Sequence, residues 1–286
     1  TGRNLLSFFG RRSLGYLLPW GVWTFFRGFA FGGWTLGTLK PEIYSLFWNM
    51  DSGYWFLISL WTICIVWGIG SFLANKLSKS NIFRVFHCVG FAVVFSAGLV
   101  FIGLKMGLSF FNIKLTLYYI PYYFLGYIFS SFYDFFKNKK AFHLVQTIVV
   151  ALSFIIFVTI SLSCNVFFLD ESLSGIVLRM ICSLTGCISV IYFAVRFFEE
   201  FESCLLIERI KSCIMVIGCE SLGFYLIHYM FLNIIRLPAG TSIYSFEAFE
   251  TCLMNYALSI VLSAVVIYVI NRNIVLKAVL FGKLKK

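Results

Sequence analysis

Three side chains that carry or accept charge lie within long apolar stretches of the chain: Arg27, Arg179 and His228. Charged groups are costly in hydrocarbon, and polar groups there need hydrogen-bond partners. Each arginine either reaches the headgroups with its long side chain, forms an internal ion pair, or holds an anionic group of a substrate. The sequence leaves these alternatives open, and both arginines are candidate substrate-binding residues.

His228 belongs to a polar pattern with helical spacing. Tyr225 and Ser221 precede it by three and seven residues, which places the three side chains on one face of a helix. Histidine is the commonest general base for abstracting a proton near neutral pH. Ser221, Tyr225 and His228 are therefore candidate catalytic residues, with a purely structural hydrogen-bond network as the alternative.

The sequence shows no other familiar pattern of reactive residues. It has no glycine-rich phosphate loop, no zinc-ligand spacing and no nucleophile elbow. Its nine cysteines are scattered, mostly within apolar runs as at Cys64, Cys182 and Cys187, and none stands in a CxxC pair. They are predicted to be small buried residues. We expect no metal and no permanently bound cofactor.

The composition indicates what kind of secondary structure must position these residues. Of the 286 residues, 60% are hydrophobic and 12% are charged, against roughly 45–50% and about 25% in a soluble domain. One globular core cannot hide so much apolar surface. The net charge of +11 lies in short clusters between apolar runs, as in membrane topology signals. A soluble enzyme, a disordered chain and a nucleic-acid-binding protein are disfavoured.

Eight segments have the roughly 20 mostly apolar residues that a helix needs to cross a bilayer. Lipid offers no partner to free backbone groups, and the runs are continuously apolar, which favours helices over a β-barrel. We predict an all-α integral membrane protein, a polytopic bundle of about eight transmembrane helices forming a single membrane-embedded domain over 1–286. The predicted spans are about 13–33, 54–73, 85–104, 117–135, 143–163, 174–195, 213–234 and 251–271.

The basic residues indicate how such a bundle is oriented. With eight crossings, 17 of the 23 Lys and Arg residues fall on the side of the N-terminus and four on the other, while Arg27 and Arg179 lie within spans. Cytoplasmic loops carry an excess of Lys and Arg. Both termini are therefore predicted to be cytoplasmic.

Two further stretches carry expectations. Residues 196–212, the longest polar connection, have apolar residues at helical spacing. They form either an interfacial amphipathic helix on the cytoplasmic face or a helical extension of the preceding span. The chain begins at Thr1 without a signal-peptide pattern, and we expect it to be a piece of a longer protein.

Four stretches of the sequence form an ordered series of motifs. They are Arg11-Arg12 leading into Pro19-Trp20, Tyr54-Trp55-Phe56-Leu57, Tyr122-Tyr123-Phe124-Leu125-Gly126-Tyr127, and Gly218-Cys219-Glu220-Ser221-Leu222 followed by Tyr225-Leu226-Ile227-His228. In this order they resemble motifs of the membrane acyltransferase-3 family, whose bacterial members O-acylate cell-surface polysaccharides. The resemblance spans nearly the whole chain.

This resemblance implies an acyltransferase-like domain in the bacterial inner (plasma) membrane. It implies acyl-CoA, with acetyl-CoA as the first expectation, as co-substrate at the cytoplasmic face, where Arg11 and Arg12 hold its phosphates. The acyl group passes to a hydroxyl of a cell-surface polysaccharide or its lipid-linked precursor. Trp55 joins Arg27 and Arg179 as a substrate-binding candidate, and no nucleic acid is involved.

The chain also departs from the family. The family has ten helices in this domain, and eight spans starting on the cytoplasmic side are expected if the first two are absent. The family's catalytic histidine is expected in its first helix and has no counterpart here. The family commonly has two arginines spaced Arg-x-x-Arg before the proline. Here Gly15 stands in the second of these places.

Other functions stay open at this point. A polysaccharide flippase or a small-solute transporter is the alternative, although paired Gly/Pro-interrupted spans are not evident in this sequence. A truncated, inactive acyltransferase remnant is a third possibility.

Overall fold

The computed structural model describes residues 5–48, 54–136, 140–164, 173–200, 205–238, 240–242 and 244–283. Within these ranges every regular element is helical, which confirms the all-α prediction. The helices are α1 (Leu5–Phe31), α2 (Leu39–Trp48), α3 (Trp55–Leu77), α4 (Asn81–Met106), α5 (Ile113–Phe136), α6 (Lys140–Ser163), α7 (Leu173–Glu200), α8 (Leu205–Cys219), α9 (Ser221–Ile227), α10 (Phe246–Asn271) and α11 (Ile274–Phe281). Short 3-10 turns occupy Phe110–Asn112 and His228–Phe231.

Helices lie at all eight predicted spans, but their apolar character differs. Among the described residues, five helices are long and apolar enough to cross a membrane (α3, α4, α6, α7 and α10), and α8 with α9 makes a sixth if that bent pair is one span. α1 and α5 fall outside this set; α1 carries three arginines and α5 six tyrosines, which lower mean hydropathy. These helices indicate a multi-pass membrane protein.

The seventh predicted span, 213–234, is bent rather than straight. α8 ends at Cys219, α9 begins at Ser221, and the two helix axes differ by 65°. The polar connection 196–212, which precedes this span, is largely helical. α7 continues to Glu200, and α8 already begins at Leu205. Residues 201–204 lie outside the described residues.

The chain divides into two compact units. The first comprises Thr1–Phe124 and Ile217–Lys286, and the second comprises Leu125–Val216. In the second unit α6 packs against α7 through small and polar residues. Ser153, Thr185 and Ser189 are buried there, and Gly186 faces the ring of Phe157. Small residues let helices approach closely where lipid gives no hydrophobic drive to associate.

In the first unit α1 and α3 run antiparallel. The Trp61 Nε1–H donates to the Ser13 hydroxyl at 3.0 Å, and the rings of Phe8 and Trp67 lie 5.9 Å apart. The far end of α1 is joined to the C-terminal helix α11, because Trp23 Nε1–H donates to the Leu280 carbonyl at 2.8 Å. The indole donors of the buried Trp23 and the half-buried Trp61 are therefore both satisfied, as is usual for tryptophan away from water.

α1 begins earlier than the predicted span 13–33. The helix begins at Leu5, and Pro19 is buried inside it. Proline lacks an N–H and frees the carbonyl four residues earlier, here that of Gly15. Gly282, in the left-handed conformation at φ +62, lies directly against the Gly15 backbone. The proline is therefore tolerated where the C-terminal segment packs onto α1.

Candidate functional site

Several predicted site residues come together in the first unit, around the junction of α1, α3 and α9. The ring of Phe56, next to Trp55, lies 5.4 Å from that of Tyr225, and the Tyr225 hydroxyl accepts a hydrogen bond from the Phe56 N–H at 3.4 Å. This N–H belongs to the first turn of α3 and lacks an intrahelical partner. The contact fixes Tyr225 against the start of α3.

The Trp55 side chain belongs to an aromatic surface. Its ring stacks on Tyr119 at 5.8 Å with an interplanar angle of 22°, and Tyr119 also contacts Phe56 and Tyr118. Trp55 and Tyr119 are both half-buried. Stacked, partly exposed rings with a few polar groups are the usual lining of small-molecule sites.

His228 follows α9 directly and is held by two contacts of different kinds. Its Nδ1 lies 2.8 Å from the Phe224 carbonyl oxygen, and its own carbonyl accepts from the Ser259 hydroxyl at 3.2 Å. A carbonyl only accepts, so Nδ1 must carry the proton and the neutral ring presents Nε2 as an acceptor. This is the tautomer that a general base needs at Nε2.

Arg27 lies beside the same group of rings. Its guanidinium stands over the Tyr229 ring at 4.8 Å from the centroid, and the rings of Tyr229 and His228 are 6.2 Å apart. Among the described residues no acidic side chain pairs with Arg27. A cation–π contact holds the charge without using the guanidinium N–H donors, which suits the binding of an anion. We call Arg27, Trp55, Tyr225, His228 and Tyr229 the Arg27 cluster.

Two other predicted site residues stand apart from this description. Ser221 is the exposed first residue of α9, at the bend, and within the described part of the chain its hydroxyl makes no hydrogen bond. Of the three side chains predicted to share one helix face, only those of Tyr225 and His228 lie side by side. Arg179 belongs to α7 in the second unit, where its carbonyl accepts from the Ser183 hydroxyl at 2.8 Å.

Arg11 and Arg12 are exposed residues on α1. The Arg12 Nη1–H donates to the Tyr16 hydroxyl at 3.2 Å, and that hydroxyl lies beside the buried thiol of Cys64. Because Ser13 bonds to Trp61, Arg12 is level with the middle of α3 rather than with its end. Arg12 and Arg27 are fifteen residues apart on one helix, about 22 Å along its axis.

The sequence reasoning missed the side chains that hold the segment after His228. Asn255 on α10 accepts from the Ile235 N–H at 2.9 Å and donates to the Ile235 carbonyl at 2.8 Å. Ser259, one turn later, bonds to the His228 carbonyl. The sequence does contain a pattern that indicates them. Asn255 and Ser259 are four residues apart within the predicted span 251–271, where polar residues are rare and face the protein interior.

The described residues hold no cluster of ligands suited to a metal ion. The cysteines that are described are free. Cys64, Cys88 and Cys182 are buried as predicted. The prediction is wrong for four others, which are exposed: Cys187, Cys213, Cys219 and Cys252. The chain matches no protein-family model, no curated protein and no solved structure.

Proposed function

We propose that this protein is a membrane O-acyltransferase that moves an acyl group, acetyl first of all, from cytoplasmic acyl-CoA to a hydroxyl of a surface polysaccharide or its lipid-linked precursor. It lies in the bacterial plasma membrane with eight crossings and both termini in the cytoplasm. The proposal continues the resemblance of four sequence motifs to the membrane acyltransferase-3 family. The observation that carries it is the hydrogen bond from His228 Nδ1 to the Phe224 carbonyl, which leaves Nε2 as an acceptor within the Arg27 cluster.

His228 is the base in this mechanism. The Phe224 carbonyl holds its Nδ1–H at 2.8 Å, so Nε2 accepts the proton of the acceptor hydroxyl as that oxygen attacks the acyl carbonyl carbon. The bond between the acyl carbon and the CoA sulfur breaks, and the leaving thiolate takes the proton from His228 Nε2, which returns the histidine to its neutral form. Tyr225, whose ring is 6.2 Å from that of His228, is the proposed donor to the developing oxyanion.

Binding of the two substrates is assigned to opposite parts of α1. Arg12, with Arg11 beside it, is exposed and cationic, as the phosphates of CoA require. The Arg27 cluster joins an arginine with its donors available to the flat faces of Trp55 and Tyr119. Such a combination fits a sugar that carries an anionic group, because rings stack on the sugar and the guanidinium pairs with the charge.

The test is transfer of radiolabel from acetyl-CoA by membranes that contain the protein. His228→Gln should lower the rate by a factor of about 10²–10⁴, the usual contribution of a general base, at unchanged protein level. His87 offers a matched control, because its Nδ1 also contacts a carbonyl four residues earlier, that of Phe83 at 2.6 Å. His87→Gln should keep full activity. Full activity of His228→Gln would remove His228 from the mechanism.

One observation favours a second candidate, a transporter or flippase. The 65° bend between α8 and α9 is a break of the kind that transporters use near the middle of the membrane. Uptake or flipping in vesicles that lack acyl-CoA separates the two functions. Movement of substrate without acyl-CoA, together with no transfer of label, would favour transport.

A further inference from the structure

The Arg27 guanidinium keeps its hydrogen-bond donors available. It stands 4.8 Å from the centre of the Tyr229 ring, and no hydrogen bond or ion pair of this side chain is found among the described residues. Arg272 is different: it stands 4.7 Å from the centre of the Tyr268 ring and also donates to the Tyr268 hydroxyl. The unused fork of Arg27 suits an oxyanion ligand.

A second donor without a partner lies near this guanidinium. The Tyr54 side chain is only 5% exposed, and its hydroxyl is close enough to Arg27 for the arginine charge to act on it. Within the described ranges this hydroxyl makes no hydrogen bond, although buried O–H groups ordinarily make one. A guanidinium fork uses both oxygens of a carboxylate, whereas a phosphate has a third oxygen for the Tyr54 O–H.

The height of Arg27 on α1 is that of lipid phosphates. The ring of Trp23 is 6.4 Å from that of Tyr54, the residue just before α3. Arg27 follows Trp23 by four residues, which places it about 6 Å beyond the start of α3. Lipid headgroups lie just outside the ends of apolar spans. The exposed ring of Phe26 adjoins Arg27, so an anion held there also borders hydrocarbon.

The separation of Arg27 and His228 limits what fits between a bound phosphate and the reacting hydroxyl. The guanidinium lies 4.8 Å from the Tyr229 ring centre, which lies 6.2 Å from the His228 ring centre, so guanidinium and imidazole are at most about 11 Å apart. Hydrogen bonds of about 3 Å at the two ends leave at most about 5 Å between them. This is the width of one sugar ring and is too short for two.

We propose that the Arg27 cluster, together with Tyr54, binds the phosphate of a lipid-linked sugar, and that the acylated hydroxyl belongs to the sugar attached to that phosphate. Arg27 and Tyr54 hold the phosphate oxygens, the lipid chain leaves past Phe26 into the bilayer, and His228 accepts the proton of the sugar hydroxyl. The inference rests on the proposed acyltransferase function. Of the two acceptors named there, it selects the lipid-linked precursor over the finished polysaccharide.

Binding tests this site without requiring catalysis. The purified protein in nanodiscs is titrated with tritiated glucose linked to farnesyl diphosphate, in the absence of acyl-CoA. Arg27→Gln should weaken binding at least tenfold. Arg272→Gln is the matched control, because Arg272 also stands over a tyrosine ring, and it should bind like the original protein. Equal affinities of the two variants, or no binding by the original protein, would overturn the proposal.

Tyr54→Phe is the second variant, because it removes one O–H group and keeps the buried ring. It should weaken binding about tenfold, as expected for the loss of a hydrogen bond to a charged group. Tyr44→Phe, at an exposed position on α2, should have no effect. Binding by Tyr54→Phe as tight as that of the original protein would contradict a phosphate held by Tyr54.

Competition against the tritiated probe identifies the bound anion. Inorganic pyrophosphate and farnesyl diphosphate should displace it, whereas methyl glucuronide, whose anion is a carboxylate, should not. Displacement by the glucuronide alone would overturn the proposal and assign Arg27 to an acidic sugar. Dihexanoyl phosphatidylglycerol should compete at least tenfold less well than farnesyl diphosphate. Equal competition by this phospholipid would instead assign Arg27 to the headgroups of the bilayer.

Transfer assays separate this inference from the function on which it rests. With labelled acetyl-CoA and a disaccharide on farnesyl diphosphate, mass spectrometry should find the acetyl group on the sugar next to the phosphate, and Arg27→Gln should lower transfer at least tenfold. Acetylation of the outer sugar alone, or unchanged transfer by Arg27→Gln, would reject the inference and leave the acyltransferase function standing. Absence of all transfer, with binding still dependent on Arg27, would reject the acyltransferase function and leave a site for lipid phosphates.

Discussion

At the residue scale, polar side chains of α10 hold the irregular segment that carries His228. This segment leaves regular helix after α9, so its backbone groups need side-chain partners. Asn255 satisfies both backbone groups of Ile235, and Ser259 bonds to the His228 carbonyl. The orientation of the histidine therefore depends on a neighbouring helix as well as on its own.

Ser259 and Ser263 form a matched pair for testing this dependence. They lie one turn apart on α10 and are both buried, but among the described residues the Ser263 hydroxyl has no hydrogen-bond partner. Ser259→Ala should lower the free energy of unfolding by about 1 kcal/mol, the usual net worth of a hydrogen bond. Ser263→Ala should be neutral or stabilising, because it removes an unpaired buried hydroxyl. Thermal unfolding in detergent measures both.

The same pair also bears on activity. Ser259→Ala should reduce acyl transfer, since the turn that begins at His228 loses a support, while Ser263→Ala should leave the rate unchanged. Equal losses of stability in the two variants would show that the hydrogen bond to His228 contributes nothing beyond packing.

At the scale of elements, the C-terminal helix α11 is joined to two places in the first unit. Gly282, just past its end, lies against the Gly15 backbone of α1. Lys283 then pairs with Glu220 at 2.5 Å and also donates to the Cys219 carbonyl at 3.2 Å. The second contact gives a hydrogen-bond donor to a carbonyl at the C-terminal end of α8, where a cation is favourable. The bend at Glu220 is thus held by a single residue, Lys283, which lies 63 positions later in the chain.

Gly282→Ala tests the docking of α11. A Cβ at this position would overlap the Gly15 backbone and would also stand at φ +62. The backbone term alone is worth about 1–2 kcal/mol, and the overlap adds to it. Gly33 is the control, because it has a similar φ of +67 with no atom near its would-be Cβ. We expect Gly282→Ala to lower the unfolding temperature clearly more than Gly33→Ala.

One result would contradict a role for the contact between Gly282 and α1. If Gly282→Ala and Gly33→Ala lose the same stability, only backbone conformation matters and this contact is dispensable. Gly15→Ala gives a second check, since its Cβ would meet the Gly282 carbonyl oxygen at an ordinary 3.7 Å. That variant should be tolerated far better than Gly282→Ala.

At the scale of the whole molecule, the orientation in the membrane is the prediction with the most consequences. It places the Arg12 region toward the cytoplasm and the Arg27 cluster toward the other side, because 17 basic residues against four fall on the side of the N-terminus. The proposed donor and acceptor sites depend on this orientation.

Reporter fusions at the two ends of α4 test this orientation in the membrane. A fluorescent protein that matures only in the cytoplasm should fluoresce when fused after Ser80, before the start of α4. Alkaline phosphatase, active only outside, should be active when fused after Gly107, past its end. The exchanged fusions should be silent. The same side for both positions would reject a crossing by α4, and phosphatase activity after Ser80 with fluorescence after Gly107 would reject the orientation.

The sequence by itself determined the class of protein and where its helices lie. Apolar runs of about 20 residues must be helical in lipid whatever their neighbours are, so helices are found at all eight predicted positions. It also made Arg27, Tyr225 and His228 candidates, because a charged or polar side chain within an apolar run is recognisable from the sequence alone. Trp55 was a candidate only through the family resemblance.

Only the tertiary structure decided which of these residues meet and where the chain bends. Lipid tails are as apolar as leucine, so hydropathy does not tell which helix faces contact each other; small residues and interhelical hydrogen bonds do. Lys283 pairs with Glu220 at the break between α8 and α9, and Ser259 bonds to the carbonyl of His228. Each contact joins residues distant in sequence, which is why periodicity and composition did not reveal it.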